Sequence, residues 1–104
     1  MLANAQEINF PLLGDDRGKL AVLEGLSAAV PFEIKRVFYI FDTQPGTVRG
    51  RHAHHRNRQL LVCVSGACTI ECEFPGGRTA SYRLDWPDRG LLLEGMVWHD
   101  MKDF

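Results

Sequence analysis

Turn-forming residues break this sequence before any long helix can run. Asp15-Asp16-Arg17-Gly18, Pro45-Gly46, Ser65-Gly66, Pro75-Gly76-Gly77 and the stretch 85–90 around Pro87 punctuate it. No segment between them sustains a 3.6-residue period. What lies between is short and strand-like. Residues 67–74 alternate cleanly, with Cys68, Ile70, Cys72 and Phe74 on one face and Thr69, Glu71 and Glu73 on the other. In residues 78–84, Ala80, Tyr82 and Leu84 share a face. Residues 8–13 and 19–24 flank the aspartate-rich turn and read as a β-hairpin. Residues 59–64, 91–93 and 96–101 complete the strands, and residues 26–30 read as a loop or a single helical turn. Short strands between frequent turns argue for an all-β sandwich or barrel.

Residues 34–42, IKRVFYIFD, are β-branched and aromatic on both faces, with Arg36 and Tyr39 as the polar exceptions. Such a strand belongs inside a sandwich or at a subunit contact. A chain of 104 residues is one domain with a modest core, which a partner subunit would reinforce. The formal net charge of −1 gives no general surface for nucleic acid or membrane. Residues 1–7 lack the basic and apolar regions of a signal peptide. No apolar run approaches the roughly 20 residues of a spanning helix. Cys63, Cys68 and Cys72 form no CxxC pair, so they read as reduced core residues of a cytoplasmic protein.

The chemistry concentrates in residues 49–66, RGRHAHHRNRQLLVCVSG, which hold three of the four histidines. In an extended segment His52 and His54 point the same way, with small Ala53 opposite. Two imidazoles on one face make a metal half-site or an acid/base pair. His55 faces the other way and reads as exposed. Arg49, Arg51, Arg56 and Arg58 surround the histidines with no acid between Asp42 and Glu71. That is either a solvated basic loop or a site for an anion such as phosphate.

His52-x-His54, Gln59 and Gly66 follow the first motif of the cupin superfamily, which sets two His and a Glu on adjacent strands of a jelly roll. His99, in Gly95-Met-Val-Trp-His, fits the late histidine of the second motif, with the Gly-to-His spacing one residue longer. Gln59 stands at the Glu position, and a neutral amide is a poor ligand for a hard divalent cation. Several further stretches carry a closer resemblance: Asp16-Arg17-Gly18, residues 35–42, Arg49-Gly50-Arg51-His52-Ala53-His54, residues 59–66, and Val97-Trp98-His99-Asp100-Met101. In these the chain resembles the nucleotide-sugar 3,4-ketoisomerases (dTDP-4-oxo-6-deoxyglucose 3,4-ketoisomerases, WxcM-like).

That resemblance implies a cupin-type jelly-roll β-sandwich or barrel. It implies a single cupin domain over residues 1–104 that lacks the family's C-terminal strand and helix. It also implies a homodimer with exchanged N-terminal strands and a reaction without metal or cofactor. The implied activity converts dTDP-4-keto-6-deoxyglucose to a dTDP-3-keto-6-deoxyhexose through an enediol, for deoxy- and amino-sugar biosynthesis, with no nucleic-acid or membrane partner. His52, His54 and Tyr39 are then the catalytic candidates, with His52 as base. Arg17, Arg36, Arg49, Arg51, Gln59 and His99 are the substrate-binding candidates. Trp86 and Trp98 are expected in the core or an interface. Two other readings stay open: a small metal-dependent cupin oxygenase built on His52, His54 and His99, and a non-catalytic sugar-nucleotide-binding cupin.

Overall fold

The structure is a computed structural model that describes residues 4–52 and 58–104, with the backbone alone at residues 51 and 52. In chain order its strands are β1 (Asn4–Asn9), β2 (Leu12–Asp15), β3 (Gly18–Ala21), β4 (Arg49–His52), β5 (Arg58–Val62), β6 (Cys68–Glu73), β7 (Thr79–Leu84), β8 (Arg89–Glu94) and β9 (Trp98–Lys102). They form a sheet β1-β8-β5, a sheet β4-β9-β6-β7 and the separate hairpin β2-β3. All pairings among the described strands are antiparallel. The all-β expectation holds. No helix among the described residues is long and apolar enough to cross a membrane.

The apolar run 8–13 is divided. Ile8 and Asn9 finish β1 against β8, and β2 starts afresh at Leu12. Pro11 stands at the break, because a proline has no N–H to give a ladder. At the hairpin tip the Arg17 amide donates to Asp15 Oδ1 at 2.9 Å, a side-chain-stabilised turn.

The two larger sheets face each other across one core. Cys68, Ile70, Cys72 and Phe74 from the β6 region meet Leu84, Leu91, Leu93 and Val97. Strand β6 buries alternate residues as its sequence alternation requires. Its outward residues include Glu71, which binds Lys102 on β9 at 2.7 Å.

Strand β8 is buried on both faces. Leu91 and Leu93 point into the core, while Leu92 points the other way and is also buried. A strap of residues 22–33 crosses that second face. Within it Leu26 N donates to Phe32 O at 3.0 Å and Val30 N to Ser27 Oγ at 3.1 Å. Leu26 takes a left-handed φ of 60°, a cost that a bulky residue bears only where its surroundings fix it. Val30 and Phe10 are buried here. Gly90 allows the Phe10 ring to lie on β8, since a Cβ would come within 2.8 Å of Phe10 Cζ. A groove of about 730 Å³ remains between the strap and the sheet, lined in part by Gln6, Ile8, Ala28, Leu92 and Glu94.

The segment 34–42, expected as a strand, pairs with no strand among the described residues. Val37 is 79% exposed, Phe38 62% and Phe41 73%. A stretch that is apolar on both faces needs cover on two sides, and the described residues leave most of it exposed. The hairpin leucines Leu12, Leu13 and Leu20 are exposed as well.

Candidate active site

Strand β4 brings the start of the histidine segment against β9. Arg49 stands opposite Met101 and Gly50 opposite Asp100; the register then slips, so that His52 stands opposite His99. This is a β-bulge, a common device for re-aiming a strand beside a site. Gly50 makes it possible. Its φ is +92°, and a Cβ there would lie 2.9 Å from the His99 carbonyl oxygen and 3.7 Å from Cδ2 of its ring. Only glycine takes that conformation and that approach without strain. On the other side of β9, His99 pairs with Cys72, and Cys72 with Ala80. One register row, Ala80–Cys72–His99–His52, therefore crosses all four strands of the sheet.

His99 is the buried polar residue of this row, 2% exposed. Its Nδ1 lies 3.4 Å from the Val97 carbonyl, at the long end for a hydrogen bond. A carbonyl only accepts, so this contact favours the proton on Nδ1. Gly95, at φ +76°, turns the chain just before, and Val97 N donates to Gly95 O at 3.0 Å. Burial pushes the neighbouring Cys72 thiol up to about 11. Burial, and then the nearby Cys63, push Cys68 up to about 11 too. Both are neutral thiols near pH 7 and supply no thiolate nucleophile.

Gln59 comes from the opposite sheet. It pairs with Leu93 and shares a strand face with Leu61, which packs on the core. Gln59 and His99 thus belong to the inner faces of the two sheets. Arg58, one residue earlier, is on the other face, where it pairs with Glu94 at 3.2 Å.

The remaining candidates are scattered along the surface. Arg17 caps the hairpin and pairs with Asp15 at 2.7 Å; its guanidinium holds that carboxyl below the usual carboxylate range. Arg36 stacks over Phe38 at 5.3 Å, and Tyr39 is 79% exposed with its ring 5.9 Å from Phe41. Arg49 is exposed on β4. Among the described residues β4, His99 and the face of Gln59 come together, while Arg17, Arg36 and Tyr39 are exposed. His54, His55 and Arg56 lie outside the described residues, as do the side chains of Arg51 and His52. Among the described residues no three of His, Cys, Asp or Glu gather as a metal site. The three-histidine reading turns on the side chains of His52 and His54, which lie outside the described residues. Trp86 and Trp98, expected in the core or an interface, are 54% and 44% exposed; the core half of that expectation fails. Two contributors carried no chemical signal in the sequence: Gly50, whose φ shows only in three dimensions, and Cys72, whose place beside His99 depends on pairing register.

The model of the family FdtA: WxcM-like, C-terminal, matches residues 3–104. A TDP-4-oxo-6-deoxy-alpha-D-glucose-3,4-oxoisomerase from Aneurinibacillus thermoaerophilus is 43% identical over 97 residues, which is 93% of this chain and 68% of that protein. Among solved structures, a histidine-to-asparagine mutant of the 3,4-ketoisomerase QdtA from Thermoanaerobacterium thermosaccharolyticum, in complex with TDP-4-keto-6-deoxyglucose, superposes with a TM-score of 0.91. It shares 35% identity, covering 100% of this chain and 74% of that one. The WlaRB TDP-quinovose 3,4-ketoisomerase from Campylobacter jejuni gives a TM-score of 0.89 at 42% identity, covering 97% of this chain and 76% of its own. With the cupin-type fold and the His52–His99 register in place, these matches show that the chain belongs to the FdtA family of WxcM-like C-terminal domains.

Proposed function

We propose that this chain is a sugar 3,4-ketoisomerase that acts on a dTDP-linked 4-keto-6-deoxyhexose without a metal. The observation that carries the reading is the pairing of His52 with buried His99, in a family whose relatives are named for this reaction. A 4-keto group acidifies the C3–H bond. His52 removes that proton and an enediolate forms. A proton returns to C4 while the O3 proton moves to O4, so C3 becomes the carbonyl and C4 the alcohol, with no net oxidation. His54 is assigned to carry the proton. Tyr39 and His99 are assigned to steady the charge that develops on oxygen. Arg17, Arg36, Arg49 and Arg51 are assigned to the diphosphate, for which guanidinium geometry is suited, and Gln59 to hydrogen bonding in the site.

The same reading makes the protein a homodimer with exchanged N-terminal segments. The exposed Ile34, Val37, Phe38, Tyr39 and Phe41 and the exposed hairpin leucines support it. A second chain would cover this apolar surface and bring Arg36 and Tyr39 to a site.

The test is turnover of dTDP-4-keto-6-deoxyglucose in deuterium oxide, followed by NMR. The wild type is expected to place deuterium at C4 of the 3-keto product and to exchange C3 of recovered substrate. His52→Asn should lose at least about a hundredfold in kcat and stop that exchange, as a missing general base predicts, while still binding dTDP. Wild-type exchange at C3 in this variant would assign the base elsewhere.

A further inference from the structure

Arg58 belongs in sequence to the basic cluster around the histidines, yet its side chain turns onto the strap. Nη1 donates to the Pro31 carbonyl at 2.6 Å, and Nη2 lies 3.2 Å from Glu94 Oε1. The guanidinium carbon stands 5.5 Å from the centre of the Phe32 ring. The Arg58 and Glu94 side chains are only 28% and 22% exposed, so water screens this pair less than an ordinary surface bridge. Their backbones are register partners, which sets both side chains on the same face. A planar fork can serve a carboxylate and a carbonyl while stacking on a ring; an ammonium cannot do all three. Nε is buried with no hydrogen-bond partner among the described residues, so the other two nitrogens and the ring hold the head.

The position of this clamp gives it consequence. Upstream of it the strap is pinned by its own hydrogen bonds and by buried Val30. Downstream, residues 33–42 join no strand among the described residues. Pro31 and Phe32, with Ile34 lying against Gly25 of the strap, are therefore the last anchored residues before Arg36 and Tyr39. We infer that Arg58 is a positioning residue: by holding Pro31 and Phe32 against Glu94 it sets where the segment bearing Arg36 and Tyr39 leaves the sheet. The inference rests on the proposed function only in taking Arg36 and Tyr39 to serve the sugar nucleotide.

Arg58→Met keeps the apolar stem and removes the fork; Arg58→Lys returns a charge without it. Hydrogen exchange at the Leu26 and Val30 amides should quicken at least about tenfold in Arg58→Met with β6 and β9 unchanged, as for a local opening. Tryptic cutting after Lys35 and Arg36 should change by a similar factor of about ten. kcat/KM for the keto sugar should fall about tenfold or more, since small displacements remote from the chemistry are costly, and Arg58→Lys should recover part of it. Unchanged strap exchange or unchanged cutting overturns the inference. So does quickened exchange with unaltered kcat/KM, which would make Arg58 merely structural. Weaker dTDP binding over an unchanged strap would make it a phosphate ligand and also overturns it. A wild type that turns over no keto sugar would sink the functional reading instead, while strap exchange and cutting would still decide whether the clamp places the segment.

Discussion

Strand β6 and the segment 34–42 are built from similar residues and end in opposite surroundings. Ile70 and Cys72 are 1% and 2% exposed; Val37 and Tyr39 are both 79% exposed. Strand β6 has β7 and β9 on its two edges and the other sheet against its inner face, and its outward positions are Thr69, Glu71 and Glu73. Every demand of its sequence is met inside one chain. Segment 34–42 alternates in no such way. Apolar on both sides, it needs an edge to pair with and two surfaces to cover it. The molecule thus divides into a self-sufficient part that holds His99 and a dependent part that holds Arg36 and Tyr39.

Mixing subunits tests that division with the largest expected effect. His52→Asn and Tyr39→Phe chains, each with little activity alone, are unfolded together and refolded. If Tyr39 acts in the partner's site, mixed dimers hold one intact site. Random pairing in a symmetric dimer should then restore about a quarter of the wild-type rate. No recovery would place Tyr39 in its own chain's site or in none.

Stability should separate the same two regions. Ile70→Ala opens a cavity in the packed core and should lower the unfolding free energy by about 2–5 kcal/mol, read by urea titration. Phe38→Ser at dilution should change it by less than about 0.5 kcal/mol, as expected for an exposed position. At high protein concentration Phe38→Ser should instead shift the mass seen by light scattering toward the monomer. An equal loss in both variants at dilution would mean that segment 34–42 packs within its own chain.

These contrasts also explain what the sequence could disclose. The face assignment of Cys68, Ile70, Cys72 and Phe74 was readable, because a half-buried strand writes its environment into alternate residues. The hairpin was readable from its turn. The break at Pro11 could be anticipated from the missing N–H, but the partner of β1 could not, since Asn4 pairs with Glu94 across almost the whole chain. Segment 34–42 signalled its need for cover without saying which molecule would meet it. At the site, the spacing of His52, Gln59 and His99 pointed to a shared interior, and the structure pairs His52 with His99. Arg58 stood in a basic cluster that left a solvated loop and an anion site both open, and the structure sets it beside Glu94 and the Pro31 carbonyl. Single-residue charge carries no register, and register decides which face a strand residue uses.

The smallest effect should appear at high pH, and only in the self-sufficient part. Burial raises the Cys68 and Cys72 thiols from an ordinary 9.0 to about 11. Below pH 9 both states keep these protons and the thiols add no pH dependence. Between about pH 9 and 11 the unfolded chain has released them while the folded chain retains them. The folded state then binds more protons, so stability falls as pH rises through that window. Burial raises Tyr82 as well, which adds in the same direction. Unfolding midpoints should therefore be flat from pH 7 to 8.5 and decline above pH 9, with the approximate window set by the two thiols. A Cys68→Ala, Cys72→Ala double variant starts less stable because of the lost packing, so the slope and not the level is the readout. Its decline should be shallower than that of the wild type. An equally steep decline would show that the thiols do not carry the effect and that the row beside His99 is less shielded from water than its burial indicates.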